Sequence, residues 1–578
     1  MTSCMDTIVL PNDKTVGEDF WKSKEDVTGM VSGAYKAMCS EAVIERCIVW
    51  GDFRSDNLNS LVDPLNVAKE NDLKDISSGN MTFDNTYADW SSFYTVINRC
   101  NIVLEKAQAV VSIDPSYTIE TYYTDESQML ALRALCYFYL VRAYRDVPYT
   151  RKAYMNSSSI ENLPQQSPLF VLDKCIEDLN MALEHPLSPM AFSDWRNVGL
   201  LNRDAIKAIL ADIHLWKASM LKSLFDYQMC VEYCQEIIDS KKQQYEINGS
   251  PSTNIPGGGN LGMVSGEQKQ YPLADGIDAY NEIFIQGNSS ESIFELQMDG
   301  TNNANNGLRN CYWNYDDRSR TTGLMKAPFA LFGSSSETNS IYTQYDYRYW
   351  NNCFNVGATD LTDLSVRKMI SGNILSGTAT APTADKAPYA NDVRGTKGSY
   401  ERFSQNWIFY RLTDIMLMKA EALVQIGDSI SLTEAFDLAR EVNKRSMTDT
   451  LQAITNTCAT QEDYEKLVLA ERQRELCFEG KRWFDLLRYN YRHVTGVQPD
   501  KMLWEIAGEN GTELNFVPNY PEMMSLMQRK YLEAGSAIGS KMNREAHLYF
   551  PIIESEIKSN QELKQNPVYK ADDMYVKN

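Results

Sequence analysis

Three glutamates, Glu471, Glu475 and Glu479, recur every four residues in the most densely charged stretch of the chain. That spacing lays them near one face of a helix. Paired carboxylates do general acid–base work in glycosidases, one donating a proton while the other attacks or activates water. Here, however, Arg474, Arg482 and Arg488 are interleaved at helical contact distance. A guanidinium beside a carboxyl lowers its pKa, and a general acid needs it raised. The cluster therefore reads as an ion-pair network on a partly buried helix.

Other chemistry finds less support. Gly257–Gly262 spells GGGNLG, which fits a dinucleotide fingerprint by letters. The fingerprint needs a strand before it and a helix after it, whereas Pro256 precedes and Met263–Gly266 follow, so a flexible loop is expected. No Walker A, HExxH, EF-hand loop or GxSxG is present. The four histidines, His185, His214, His493 and His547, lie far apart, which leaves little for zinc sites or His-based catalysis. Twelve cysteines contain no CxxC; Cys230 and Cys234 share a helix face without a second ligand pair, and read as buried thiols. No catalytic residue, metal or cofactor is expected.

Aromatic rings are a better lead. Tyr312, Trp313 and Tyr315 fall close together with Asn310 and Arg318, and Tyr342, Tyr345, Tyr347, Tyr349 and Trp350 follow. Sugars pack flat C–H faces on rings and bond their hydroxyls to Asn, Asp and Arg, so loops mixing these types suit a saccharide. The competing reading makes the same rings the core of their own region.

The elements that must position these residues are mostly helices. Ser23 is placed to cap a helix through Ala37. Amphipathic stretches run over Tyr87–Val111, Asp125–Tyr144 and Ser167–Glu184, the second stopping before Pro148. Two helix pairs look alike: Ala205–Met220 with Tyr227–Ile238, and Leu412–Val424 with a helix capped by Ser431 and Glu434. Each pair spans about 34 residues, the period of tetratricopeptide-type hairpins. Between them, about Tyr245 to Asn406, the chain is rich in Gly, Asn, Ser and Thr. A structureless loop of that length is improbable, so a loop-rich subdomain with a few short strands, such as Ser292–Met298, is expected. The fold class is mostly α: helical hairpins forming a scaffold with a large loop-rich insertion.

Charge narrows the partners. With 56 basic and 77 acidic residues the net charge is −21. That argues against nucleic acid and against an anionic membrane surface, both bound through Lys and Arg. No run of 18 apolar residues exists to span a bilayer.

The segment "ERQRELCFEGKRWFDLLRYN" resembles a signature of the SusD/RagB family of outer-membrane nutrient-binding lipoproteins, with Glu471 to Arg488 matching nearly every fixed position. "ALRALCYFYLVRAYRDVPYT", "WSSFYTVINRCNIVLEKA", "YRLTDIMLMKAEAL" and "LYFPIIESEIKSNQELKQNPVY" resemble further family segments. Arg145 and Val568 stand where glycine is usual, and Ile553 replaces a proline. The resemblance implies four tetratricopeptide-like hairpins supporting the insertion. It implies a non-catalytic surface lipoprotein that caps a SusC-like TonB-dependent transporter and hands it an oligosaccharide or polysaccharide. Met1-Thr2-Ser3-Cys4 then reads as the trimmed end of a lipoprotein signal, with Cys4 bearing the lipid and the signal peptide removed. The outer-membrane surface of a Gram-negative cell would be reached through that anchor alone.

The implied division is a tether over 1–22, a helical scaffold over 23–244, the ligand-binding insertion over 245–406, and a helical segment completing the scaffold over 407–578. The family's fixed motifs are scaffold, which makes Trp90, Asp346 and Arg348 structural. Glycan contacts come from variable loops. The ligand candidates are Phe83, Asn85 and Tyr87 from an early loop, and Asn310, Tyr312, Trp313, Tyr315, Arg318 and Trp350 from the insertion. A glycoside hydrolase, a peptide-binding member of the family, and a scaffold binding only proteins are the alternatives.

Overall fold

The computed structural model describes residues 20–60, 67–248, 270–312, 323–332, 340–353, 364–370, 403–507, 523 and 544–569, apart from positions 157, 158, 193, 277 and 344. The N-terminal part contains α1 (Lys24–Met38), α2 (Glu41–Ile48), α3 (Val67–Ser78), α4 (Ser91–Val110), α5 (Ile119–Tyr144), α6 (Pro168–Ala182), α7 (Arg196–Gly199), α8 (Arg203–Leu221) and α9 (Leu224–Asn248). The insertion adds α10 (Asn306–Tyr312), α11 (Phe329–Phe332) and α12 (Tyr347–Asn352). Then come α13 (Leu412–Ile426), α14 (Ser429–Ser446), α15 (Gln461–Leu476), α16 (Arg482–His493), α17 (Leu503–Ala507) and α18 (Glu554–Ser559).

Local sequence explains most boundaries. Ser23 caps α1 in a full capping box with Asp26. Thr118, Ser167 and Asn202 each accept a backbone N–H at the start of α5, α6 and α8. Gly427, at φ +80°, ends α13 in the left-handed conformation that glycine adopts without strain. The cap of α14 differs from expectation. Asp428 bonds the N–H groups of Ile430 and Ser431, and Ser431 lies inside the helix with its hydroxyl on Asp428.

Hydrophobic pattern decides depth. α13 is buried on all sides from Leu412 to Val424, as is α5 from Ser127 onward. A helix apolar all round belongs in the centre of a domain. The amphipathic helices surround these two. α4 packs on α5 and α5 on α6, while α8 pairs with α9 and α13 with α14. The look-alike hairpins meet in space, because α9 packs against α13 although the insertion separates them in sequence.

The insertion is closed at its base by two antiparallel strands, Ser292–Leu296 and Trp407–Arg411, with Ser292 opposite Arg411 and Leu296 opposite Trp407. Both are fully buried. A second, two-residue ladder pairs Asn59–Ser60 with Met325–Lys326 and ties the insertion to the segment that follows α2. The expected strand at Ser292–Met298 is thus two residues shorter than read.

Candidate ligand-binding site

Glu471 and Glu475 of α15, and Glu479 just beyond its end, are not at a surface. Glu475 accepts from Arg411 Nη1 at 2.6 Å, from Arg348 Nη1 at 2.8 Å, and from Arg445. Glu471 accepts from Arg348 at 2.7 Å and from Arg474 and Asn443 at 2.8 and 2.9 Å. Glu479 accepts from Arg411 at 2.7 and 2.9 Å and pairs with Lys368 at 2.7 Å. All three glutamates are buried. Burial alone would raise the carboxyl of Glu475, but Arg445, Arg411 and Arg348 together hold it well below the usual carboxylate range. Glu479 is lowered in the same way, burial being outweighed by Arg411 and Lys368. Neither suits a general acid.

The partners differ from those the spacing suggested. Of the three interleaved arginines only Arg474 pairs within the cluster. Arg482 binds Asp56, and Arg488 binds Glu421 and Asp485. The chain turns at Gly480, at φ +70°, so helical spacing does not continue from α15 into α16. Asp346 and Arg348 are structural here: Arg348 grips Asp346 as well as the two glutamates.

Several ligand candidates are core instead. Tyr312 is fully buried, its hydroxyl donating to the Phe478 carbonyl at 3.1 Å and its ring edge-on to Phe478. Asn85 is fully buried and caps the turn Thr86–Ala88, with Nδ2 on the Asp72 carbonyl at 3.0 Å. The Tyr87 ring is 1% exposed. Rings this deep cannot stack on a sugar without opening the fold. Phe83 is half-buried and its carbonyl accepts from the Glu554 amide. Trp350 is half-buried, edge-on to Tyr349 at 4.9 Å. Cys4, Trp313, Tyr315 and Arg318 lie outside the described residues.

Asn310 marks where the early loop and the insertion converge. Its Nδ2 donates to Glu41 at 2.7 Å and to Glu45 at 2.9 Å, both on α2. Lys69 of α3 donates to both Glu45 oxygens, at 2.9 and 3.0 Å. Arg46 holds the Thr86 carbonyl and Asp89 at 3.1 Å. Glu41, Ala42, Glu45, Arg46, Lys69, Thr86 and Tyr87 line an open cleft of about 280 Å³ beside this junction. Glu41, Glu45, Arg46 and Lys69 were missed from the sequence. The i, i+4 pair Glu41 and Glu45 on one face of a short helix was the available signal. An exposed carboxylate, an amide and a lysine at one opening can orient hydroxyls, with Glu45 held in place by Lys69 and Asn310.

The chain matches two family models. One, described as the SusD family, covers residues 290–569; the other, described as starch-binding associating with outer membrane, covers residues 10–215. The chain belongs to the SusD/RagB family. It is 26% identical over 530 residues to SusD-like protein P38 of Formosa agariphila, a match covering 88% of this chain and 93% of that one. A SusD-like protein of Bacteroides ovatus is 21% identical over 519 residues, covering 87% and 81%. A solved SusD superfamily structure from Bacteroides fragilis superposes with a TM-score of 0.63 at 18% identity, covering 95% of this chain and all of that one. B. fragilis NanU gives 0.61 at 15%, covering 97% and 99%. The SusD-like fold, a helical scaffold with short strands, is therefore common to them. Among the described residues no helix is long and apolar enough to cross a membrane.

Proposed function

We propose that this SusD-family protein is a non-catalytic, surface-exposed lipoprotein of the outer membrane that binds an oligosaccharide and passes it to a SusC-like TonB-dependent transporter. The observation that carries this reading is the Asn310 junction: the early loop and the insertion meet over an open polar cleft, within a chain whose N-terminal family model is described as starch-binding. Glu41 and Lys69 bond sugar hydroxyls in this reading. Trp313 and Tyr315 follow α10 directly in sequence and supply the stacking rings. Glu471, Glu475 and Glu479, locked by arginines, leave that cluster without a general acid.

Calorimetry against a panel of neutral glucans and other oligosaccharides tests the proposal. Dissociation constants on the order of micromolar to millimolar are expected, since ring stacking and hydroxyl exchange each contribute little. Glu41 is exposed, so Glu41→Ala should leave stability within about 0.5 kcal/mol. It should weaken binding about tenfold through loss of a charge-assisted hydrogen bond. Trp313→Ala should weaken it at least as much. Affinity should barely change with salt, as a neutral glycan releases no counterions. Hydrolysis of any bound glycan by pure protein would overturn the non-catalytic reading, and binding of peptides but no glycan would overturn the ligand class.

Anchoring is proposed to run through acylated Cys4, in keeping with the outer-membrane description of the matched model. Cys4→Ala in the full precursor should move the protein from the membrane pellet to the soluble fraction. Retention in the pellet of a strain lacking the transporter would contradict it.

A further inference from the structure

We propose that Trp195 is an outlying stacking platform for the glycan of the Asn310 cleft, so that the protein selects long chains over short ones. The proposal rests on the glycan reading of that cleft. Trp195 is 52% exposed, whereas every other tryptophan among the described residues is buried or half-buried. A large ring left half in water forgoes burial that would otherwise stabilise the fold.

Local structure fixes the ring in that position. The Trp195 carbonyl accepts from the Gly199 amide at 2.8 Å and from the Val198 amide at 3.2 Å. The benzo half of the indole rests on Gly199, where a Cβ would stand 2.7 Å from Cε3 and 3.0 Å from Cζ3. Any side chain at 199 would push the ring off this seat. The flanking residues are charged and bonded to each other. Arg196 Nε donates to Asp194 Oδ1 at 2.9 Å, and the Arg196 amide donates to the same oxygen at 3.0 Å. The Arg196 side chain is 54% exposed, and its Nη1 has no protein partner among the described residues.

That pair narrows what can cover the ring. A purely apolar partner would strip water from Asp194 and Arg196 and return no hydrogen bond. A sugar lays C–H groups on the indole while its hydroxyls donate to the carboxylate and accept from the guanidinium. Position ties the platform to the cleft. A Cβ at Gly199 would also meet Gln297 Cγ at 2.7 Å. The Gln297 carbonyl accepts from Asn303 at 2.7 Å and meets Cys39 Sγ at 4.0 Å, two residues before Glu41. Asn310, the partner of Glu41, closes the same stretch, 297–310. These contacts and two peptide steps put the Trp195 ring roughly 15–20 Å from Glu41. A chain that reaches both makes its second contact at high effective concentration. A short oligosaccharide reaches only one.

Calorimetry on the whole protein tests this with maltotriose and maltoheptaose, chosen because the N-terminal family model is described as starch-binding. The wild type should bind maltoheptaose at least about tenfold more tightly than maltotriose. Trp195→Ala should weaken maltoheptaose about three- to tenfold and maltotriose less than about twofold, with an unchanged melt as the folding control. Trp195→Tyr should keep most of the length preference and Trp195→Leu should lose it, since stacking needs a flat ring. This second pair carries the test if the alanine variant melts early. The ring also reports on itself. The difference in fluorescence between wild type and Trp195→Ala should shift to the blue with maltoheptaose and stay in place with maltotriose. No length preference in the wild type, an equal loss for both sugars, or no loss while Glu41→Ala still weakens both would overturn this proposal and leave the cleft reading standing. Failure of both sugars to bind at all would overturn it together with the glucan arm of that reading.

Discussion

Glu475→Ala is expected to cost about 3–5 kcal/mol of stability, the usual penalty for removing one member of a buried charge network. The side chain accepts from guanidiniums on three separate elements: Arg348 on α12, Arg411 at the end of the Trp407–Arg411 strand, and Arg445 on α14. All three are buried or nearly so, and without the carboxylate they face one another in a low dielectric. Glu475→Gln should cost nearly as much, since it restores shape and not charge. Glu462→Ala is the control: its pair with Lys466 is half exposed on both sides, and exposed pairs contribute about 0–1 kcal/mol. Urea unfolding of the three variants measures this, and a loss below about 1 kcal/mol for Glu475→Ala would refute it. The same carboxyl fixes a pH dependence. Its pKa is lower folded than unfolded, so its contribution is complete above the ordinary glutamate value, about 4.3, and is lost as pH falls through the folded value. The stability gap between wild type and Glu475→Gln should therefore be constant from pH 5 upward, to within about 0.5 kcal/mol, and close progressively below about pH 4.

Gly51→Ala is expected to be at least as damaging. A Cβ on Gly51 would stand 1.9 Å from the Gly480 carbonyl oxygen and 2.6 Å from its carbon. The obstacle is backbone, which cannot swing aside as a side-chain tip would. The π-helical stretch Val49–Phe53 that continues α2 and the turn between α15 and α16 approach so closely that both need glycine, Gly480 also for its φ of +70°. Separating them would break the bond from the Gly480 amide to Asp52, 3.1 Å, and loosen the core around Trp50. A cost above about 4 kcal/mol, or no folded protein, is expected. Gly33→Ala in α1 is the contrast, since the added Cβ meets only Arg99 Nη1 at 3.7 Å. It should stabilise by up to about 1 kcal/mol through helix propensity. Thermal melts of the two variants that moved together would contradict the argument.

Helix positions were legible because apolar period and capping residues are local signals. α1, α8 and α13 needed nothing from the rest of the chain. The cap of α14 was misplaced by three residues because Asp428 and Ser431 are both good caps, and only the geometry after Gly427 selects one. The contact between α9 and α13 was illegible: a stripe shows that a face is buried, not against what. The same limit moved the arginine partners of Glu475 from α15 and α16 to α12, the Trp407–Arg411 strand and α14. Tyr87 and Tyr312 failed as ligand residues because both rings are buried, and residue type in a loop does not report depth. The Tyr312 ring packs on Phe478, far away in sequence, so a ring in a loop-rich stretch does not by itself mark a surface. Asn310 has partners outside the insertion, Glu41 and Glu45 on α2, which its position in the sequence does not reveal.

The bonds from Arg54 to the carbonyls of Leu548 and His547 join residues separated by 494 and 493 positions, and Arg145 reaches Glu545 across 400. Closing loops of that length is slow, and the order of synthesis makes it slower. At roughly 5–20 residues per second, Arg145 waits about 20–80 s after its own synthesis before Glu545 exists. Through that interval a guanidinium destined for the core stays hydrated, and the helices around it cannot close. The N-terminal hairpins must therefore persist as an open intermediate with apolar faces showing, a natural client for a holding chaperone. A chain cut before residue 544 should accumulate as that intermediate rather than as a smaller native protein.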